Sequence, residues 1–67
     1  MERILKYFKY EHLPRRLKIV SRPFCELAND MAKKLPASAE LTAGLRKLLE
    51  AKDCIVRAVL DAETKQN

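Results

Sequence analysis

Residues 13–35, "LPRRLKIVSRPFCELANDMAKKL", decide how this chain folds. Apolar side chains stand at Leu13, Leu17, Val20, Phe24, Leu27, Met31 and Leu35, in steps of four or three. An α-helix turns once in about 3.6 residues, so steps of this size line up along one face. Pro23 lies inside the run. Proline lacks the N–H that a helix interior needs, and its ring crowds the carbonyl four residues back. The stripe nevertheless keeps its phase across Pro23, which predicts one helix over 14–35, kinked near Pro23. Two helices in line, the second capped by Ser21, are the alternative. Pro14 suits the opening turn, where a missing N–H costs nothing.

Working outward toward the C-terminus, Leu35-Pro36-Ala37 closes that helix. Ser38 is a natural N-cap, and Glu40 places a negative charge where the next helix dipole favours it. A third helix is expected over 39–64, on the order of 40 Å long. Gly44 is tolerable within it, and the final "ETKQN" (63–67) should fray. Leu41, Leu45, Leu48, Leu49, Ile55, Val56 and Val59 form one broad stripe. Ala43, Cys54 and Ala58 form a second face of small residues. A helix apolar on two sides is buried on two sides, and one other long helix cannot cover both. A second copy of the chain is the expected cover. Toward the N-terminus, residues 2–10 read as a short helix with Ile4, Leu5 and Phe8 on one side, and residues 11–14 as a linker. The expected fold is all-α: one small helical domain over 1–67, assembled as a homo-oligomeric helical bundle.

Composition agrees with self-association. A chain of 67 residues hides only about 60% of its unfolded surface, so its core needs reinforcement. Cys25 and Cys54 make no disulfide framework. With a single His (His12) they fall short of a zinc site, so no metal or cofactor is expected. Free thiols, and an opening "MERILKYFKY" without a continuous apolar run, point to a reducing cytosol and to no membrane span. Hydrophobic residues make up 48% of the chain, which argues against disorder. The net charge of +5 favours an anionic partner or serves solubility.

Catalysis finds little to work with. One glycine, Gly44, cannot build a phosphate loop. Cys25 and His12 lack a third orienting group. Glu40, Glu50, Asp53 and Asp61 are spread around a helix as a solvated face. An enzyme is not expected. Binding is better supplied: Arg15, Arg16, Lys18 and Arg22 decorate the second helix, and Arg46, Lys47, Lys52 and Arg57 the third. The planar Arg fork donates two parallel hydrogen bonds to a phosphate. Lys52 falls mid-stripe, where a snorkelling stem explains it. Arg57 either makes an interfacial salt bridge with an acid such as Asp53 or Asp61, or meets a phosphate. Three of the four aromatic residues, Tyr7, Phe8 and Tyr10, crowd into residues 7–10. Phe8 follows the apolar spacing. Tyr10, beside the linker, either pins that linker to the core or stacks on a base.

"FKYEHLP" (8–14), "VSRPFCELA" (20–28), "LPASAE" (35–40) and "LRKLLEAKDCIVRA" (45–58) together resemble a known family. It comprises the small phage anti-CBASS sponges, which sequester the cyclic oligonucleotides of a bacterial antiphage signalling system. The likeness covers about residues 7–60, in the F-x-Y-x-H element at Phe8, Tyr10 and His12, the P-x-S-x-E element at Pro36, Ser38 and Glu40, and the run Leu48–Ala51. It implies a homohexamer in the cytoplasm of the infected bacterial host, without catalysis. It implies that cyclic dinucleotides bind between protomers through an aromatic ring and a basic side chain, and cyclic trinucleotides at three-fold positions through arginines. By that likeness Tyr10 is the stacking ring. The family's basic partner falls here on Cys25, so Arg22 or Lys18 supplies the charge, or the pocket is weaker. Arg57, followed by Ala58, resembles the trinucleotide-site arginine. No membrane and no long nucleic acid are expected as partners. Two other readings stay open: a small basic helical nucleic-acid-binding regulator, and a phage scaffold or inhibitor that binds a host protein.

Overall fold

The structure, a computed structural model, describes residues 3–65. Its elements in order are a 3₁₀ helix, η1 (Arg3–Phe8), then α1 (Arg15–Lys34) and α2 (Ala39–Lys65). No strand occurs among the described residues. α1 and α2 form an antiparallel hairpin: the 35–38 turn joins them at one end, and Arg16 pairs with Glu63 near the other. η1 lies across both helices. The molecule is elongated, 47 × 20 × 15 Å.

The helix boundaries follow from local chemistry. Pro14 stands one position before α1 rather than inside its first turn, with φ −57° and an extended ψ of 153°. Its carbonyl accepts the amides of Leu17 and Lys18, both at 3.0 Å. α1 ends at Lys34 because Leu35 precedes Pro36, whose ring disfavours helical backbone in the residue before it. Leu35 is accordingly extended, at φ −118° and ψ 144°. Ser38 caps α2 as its type suggests: its Oγ accepts the Leu41 amide at 3.0 Å, and Glu40 occupies the first turn.

α1 is continuous through Pro23, so the expectation of one helix holds and the two-helix alternative does not. Ser21 is no cap. It is buried inside α1, 1% exposed, and its hydroxyl has no hydrogen-bond partner among the described residues. The first element needs correction. It is a 3₁₀ helix ending at Phe8, not a helix over 2–10, and Glu2 lies outside the described residues. Tyr10 is therefore in the linker. At the C-terminus Glu63, Thr64 and Lys65 remain helical, while Gln66 and Asn67 lie outside the described residues.

The core is small. Phe8 and Ala28 are fully buried and Leu45 nearly so, with Ile4, Leu5, Phe24, Cys25, Leu41, Leu48 and Leu49 packed around them. Each of the three elements contributes one of the buried three. The inward face of α1 is rotated from the apolar stripe. Leu17, Ser21 and Ala28 are buried, whereas Leu27 and Leu35 are 46% and 50% exposed. Small side chains at 21 and 28 let the helices approach, and larger neighbours on the stripe are left at the rim. There Leu27, Met31 and Leu35 of the α1 end meet Leu41, Gly44 and Leu48 of α2 around an apolar groove of about 580 Å³. The second face of α2 is uncovered within the chain: Ala43 is half-buried, and Cys54 and Ala58 are exposed.

Candidate anion-binding site

The turn after η1 carries Tyr10 back toward the start of α1. Leu13 donates to the Tyr10 carbonyl at 3.0 Å, and the Glu11 carboxylate accepts the Tyr10 amide at 3.3 Å. Tyr10 thus ends half-buried beside the first two turns of α1. Tyr10, Arg15, Lys18, Ile19 and Arg22 line one concavity of about 330 Å³. Residues 15, 18, 19 and 22 share a helix face because they are three or four apart.

Three cations therefore surround one ring. Glu26 restrains one of them: its carboxylate accepts from Arg22 Nε at 3.0 Å. That bond, with the charge of Glu26 and then the proximity of Tyr10, holds the Arg22 guanidinium even above its usual range. Both side chains are more than half exposed, so an incoming phosphate competes with Glu26 in water and on short range. The opening of α1 adds to the positive field. Its first turn contains no acid, and the unpaired amide ends of a helix carry partial positive charge. Arg16 is the exception here, being neutralised by Glu63.

Cys25 does not join this concavity. It lies one turn on, where Asn29 Nδ2 donates to its carbonyl at 2.8 Å and to its sulfur at 3.4 Å. Burial, then the nearby Glu11 charge, push the Cys25 thiol above its ordinary value. It is an uncharged side chain at neutral pH and supplies no cation.

Arg57 and Ala58 are exposed on α2 and are not brought to Tyr10. Within the single chain neither Asp53 nor Asp61 forms an ion pair with Arg57 among the described residues, which leaves a bridge across an interface untouched. Its Nη2 donates instead to Cys54 Sγ at 3.3 Å, while Asp53 meets the Lys52 ammonium at 3.1 Å. The Lys52 side chain is only 13% exposed, so its stem runs along the apolar stripe and its head emerges at Asp53.

Tyr10, Lys18 and Arg22 are thus grouped, and Arg57 with Ala58 stands apart. Sequence reading missed Arg15 and Ile19 as members of the concavity. The spacing 15, 18, 19, 22 carried the signal, since it marks a face of α1 opposite the apolar stripe. Among the described residues no helix is long and apolar enough to cross a membrane. The chain matches no known protein-family model, no curated protein and no solved structure.

Proposed function

We propose that this chain binds cyclic oligonucleotides intact and holds them, without catalysis, as a homo-oligomer near six copies in the cytoplasm of an infected bacterium. The observation that carries the reading is the concavity in which Tyr10 lies among Arg15, Lys18 and Arg22. A cyclic dinucleotide presents flat bases and a ring bearing two phosphates. A tyrosine face takes a base, and stacking of this kind is worth ~1–3 kcal/mol. Arginine forks take the phosphates. One protomer offers an open dish of about 330 Å³, and a second copy laid over it would close the walls. Symmetry-related copies suit a ligand that is itself nearly symmetric. Cyclic trinucleotides would use a second place, where Arg57 and the neighbouring Ala58 of three copies converge. The exposure of both residues leaves them available for such a meeting.

Calorimetric titration with cyclic dinucleotides and cyclic trinucleotides tests this. Tyr10→Ala is expected to weaken dinucleotide binding by fivefold or more, roughly the lower end of a stacking contribution, while sparing trinucleotides. Arg57→Ala is expected to do the reverse. Equal loss of both ligands in either variant contradicts two separate places. Duplex DNA bound tightly, with a steep salt dependence and no cyclic-nucleotide heat, would favour a nucleic-acid regulator instead.

A further inference from the structure

A 3₁₀ helix has three residues per turn, so side chains three apart eclipse one another. η1 therefore presents three columns. Leu5 and Phe8 face the core. Arg3 and Lys6 form a second column, and Lys9 continues it: the Lys9 amide still reaches the Lys6 carbonyl, at 3.5 Å, just past the helix end. The third column holds Ile4, which packs against the core, and Tyr7, which is 56% exposed. The fold thus turns "RILKYFK" into a line of three cations, spaced about 6 Å apart by the 2.0 Å rise per residue. None of the three forms an ion pair among the described residues. All three line a concavity of about 530 Å³ with Leu5, Glu11, Cys25 and Asn29. Among the described residues Glu11 is the one acid there, and it is turned back onto the Tyr10 amide. Asn29 spends its amide N–H on Cys25, which orients the side chain. The concavity is distinct from the Tyr10 dish: no lining residue is common to both.

We propose that the Arg3–Lys6–Lys9 column is a site for a short linear single strand of nucleic acid, its successive phosphates following the column and a base lying on Tyr7. Proteins that hold single strands combine a positive track for the backbone with an aromatic face for the bases, and both are here on one short element. The Lys6 ammonium lies 5.2 Å from the centroid of the Tyr7 ring, so track and platform are adjacent. A compact anion such as one phosphate would engage one or two of these cations; a strand engages all three. Charge alone does not distinguish a strand from inorganic polyphosphate. Tyr7 does, because a polyphosphate has no base to stack. The inference does not depend on cyclic-oligonucleotide binding, which uses other residues.

Fluorescence anisotropy of a labelled six-nucleotide oligothymidylate, with the full chain at low salt, tests the proposal. Binding is expected to fall with salt at a logarithmic slope of about −2, as for roughly three phosphate contacts on a single strand. The Lys6→Ala/Lys9→Ala double variant should weaken it at least tenfold, and Lys6→Arg/Lys9→Arg should restore it. Tyr7→Ala should weaken it about fivefold or more. Tyr10→Ala should leave it unchanged, which separates this site from the dish on α1. The proposal is overturned if the oligothymidylate does not bind, or if the double alanine variant binds it as well as the parent. It is also overturned if inorganic polyphosphate competes fully and Tyr7→Ala has no effect. These side chains are exposed, and circular dichroism of each variant verifies the helices.

Discussion

Cys25 and Asn29 show how much one residue's surroundings decide. The resemblance places a basic side chain at position 25, yet this chain has a thiol there, whose proton burial holds more tightly than usual. The cations that stand beside Tyr10 come from another helix face, through Arg15, Lys18 and Arg22. The raised thiol value has a consequence for stability. A group that loses its proton less readily when folded has no effect on stability below its unfolded value. Stability is then lost as pH rises through that value toward the folded one. Thermal unfolding of the parent and of Cys25→Ala, followed from neutral pH to above the ordinary thiol range, should therefore diverge least at alkaline pH. The parent alone suffers the thiolate penalty, while the packing lost in the variant is a constant offset. A difference that stays flat across that range would contradict the buried-thiol reading. Residue types were informative unevenly at this scale. Phe8 was legible as core because it followed the apolar spacing, and it is fully buried. Ser21 and Ala28 were not, since neither a hydroxyl nor a methyl announces a helix contact, although these small groups set where α1 meets its neighbours.

The elements were more legible than the residues, because their ends are written in proline and serine. Pro36 stops α1 through Leu35, and Ser38 starts α2 by accepting the Leu41 amide. Losing that acceptor exposes an orphan N–H at the helix start, typically at a cost of about 1 kcal/mol. Ser38→Ala is expected to lower the thermal midpoint by roughly 4–8 °C, the shift that such an energy produces in a chain of this size. Ser38→Asp should keep the midpoint near the parent's, since Asp caps equally well and favours the dipole. If both variants melt alike, the Oγ bond is not what starts α2. The 3₁₀ character of η1 was not legible. Six residues give no span in which periods of 3.0 and 3.6 separate, and Leu5 with Phe8 fits either. That difference moved Tyr10 off the helix and aligned Arg3 with Lys6, so it bears on both proposed sites.

Taken as a whole molecule, the chain exposes too much of what it would be expected to hide. Among the described residues Phe8, Leu17, Ala28 and Leu45 are the buried apolar ones, whereas Ile19, Leu27, Leu35, Ile55 and Leu60 are each more than 40% exposed. Leu27 and Leu35 border the apolar groove between the two long helices, where Gly44 leaves open space on the α2 side. A core this sparse is marginal for 67 residues, since a small chain hides little of its surface by itself. The proposed function calls for the same remedy, because the Tyr10 dish is open in a single chain and a second copy would supply its missing wall. We therefore expect sedimentation equilibrium to give a mass near six times the 7.7 kDa protomer. Leu27→Glu with Leu35→Glu places two charges at the groove's edge without disturbing a buried side chain. It should reduce the mass toward the protomer and retain helical circular dichroism. Cyclic-dinucleotide binding should fall with the mass, while oligothymidylate binding on η1 should not, since that column is complete in one chain. A parent that sediments as a protomer, with or without cyclic dinucleotide, would leave Tyr10 and its cations as an open surface and remove the proposed function. It would leave the η1 column untouched.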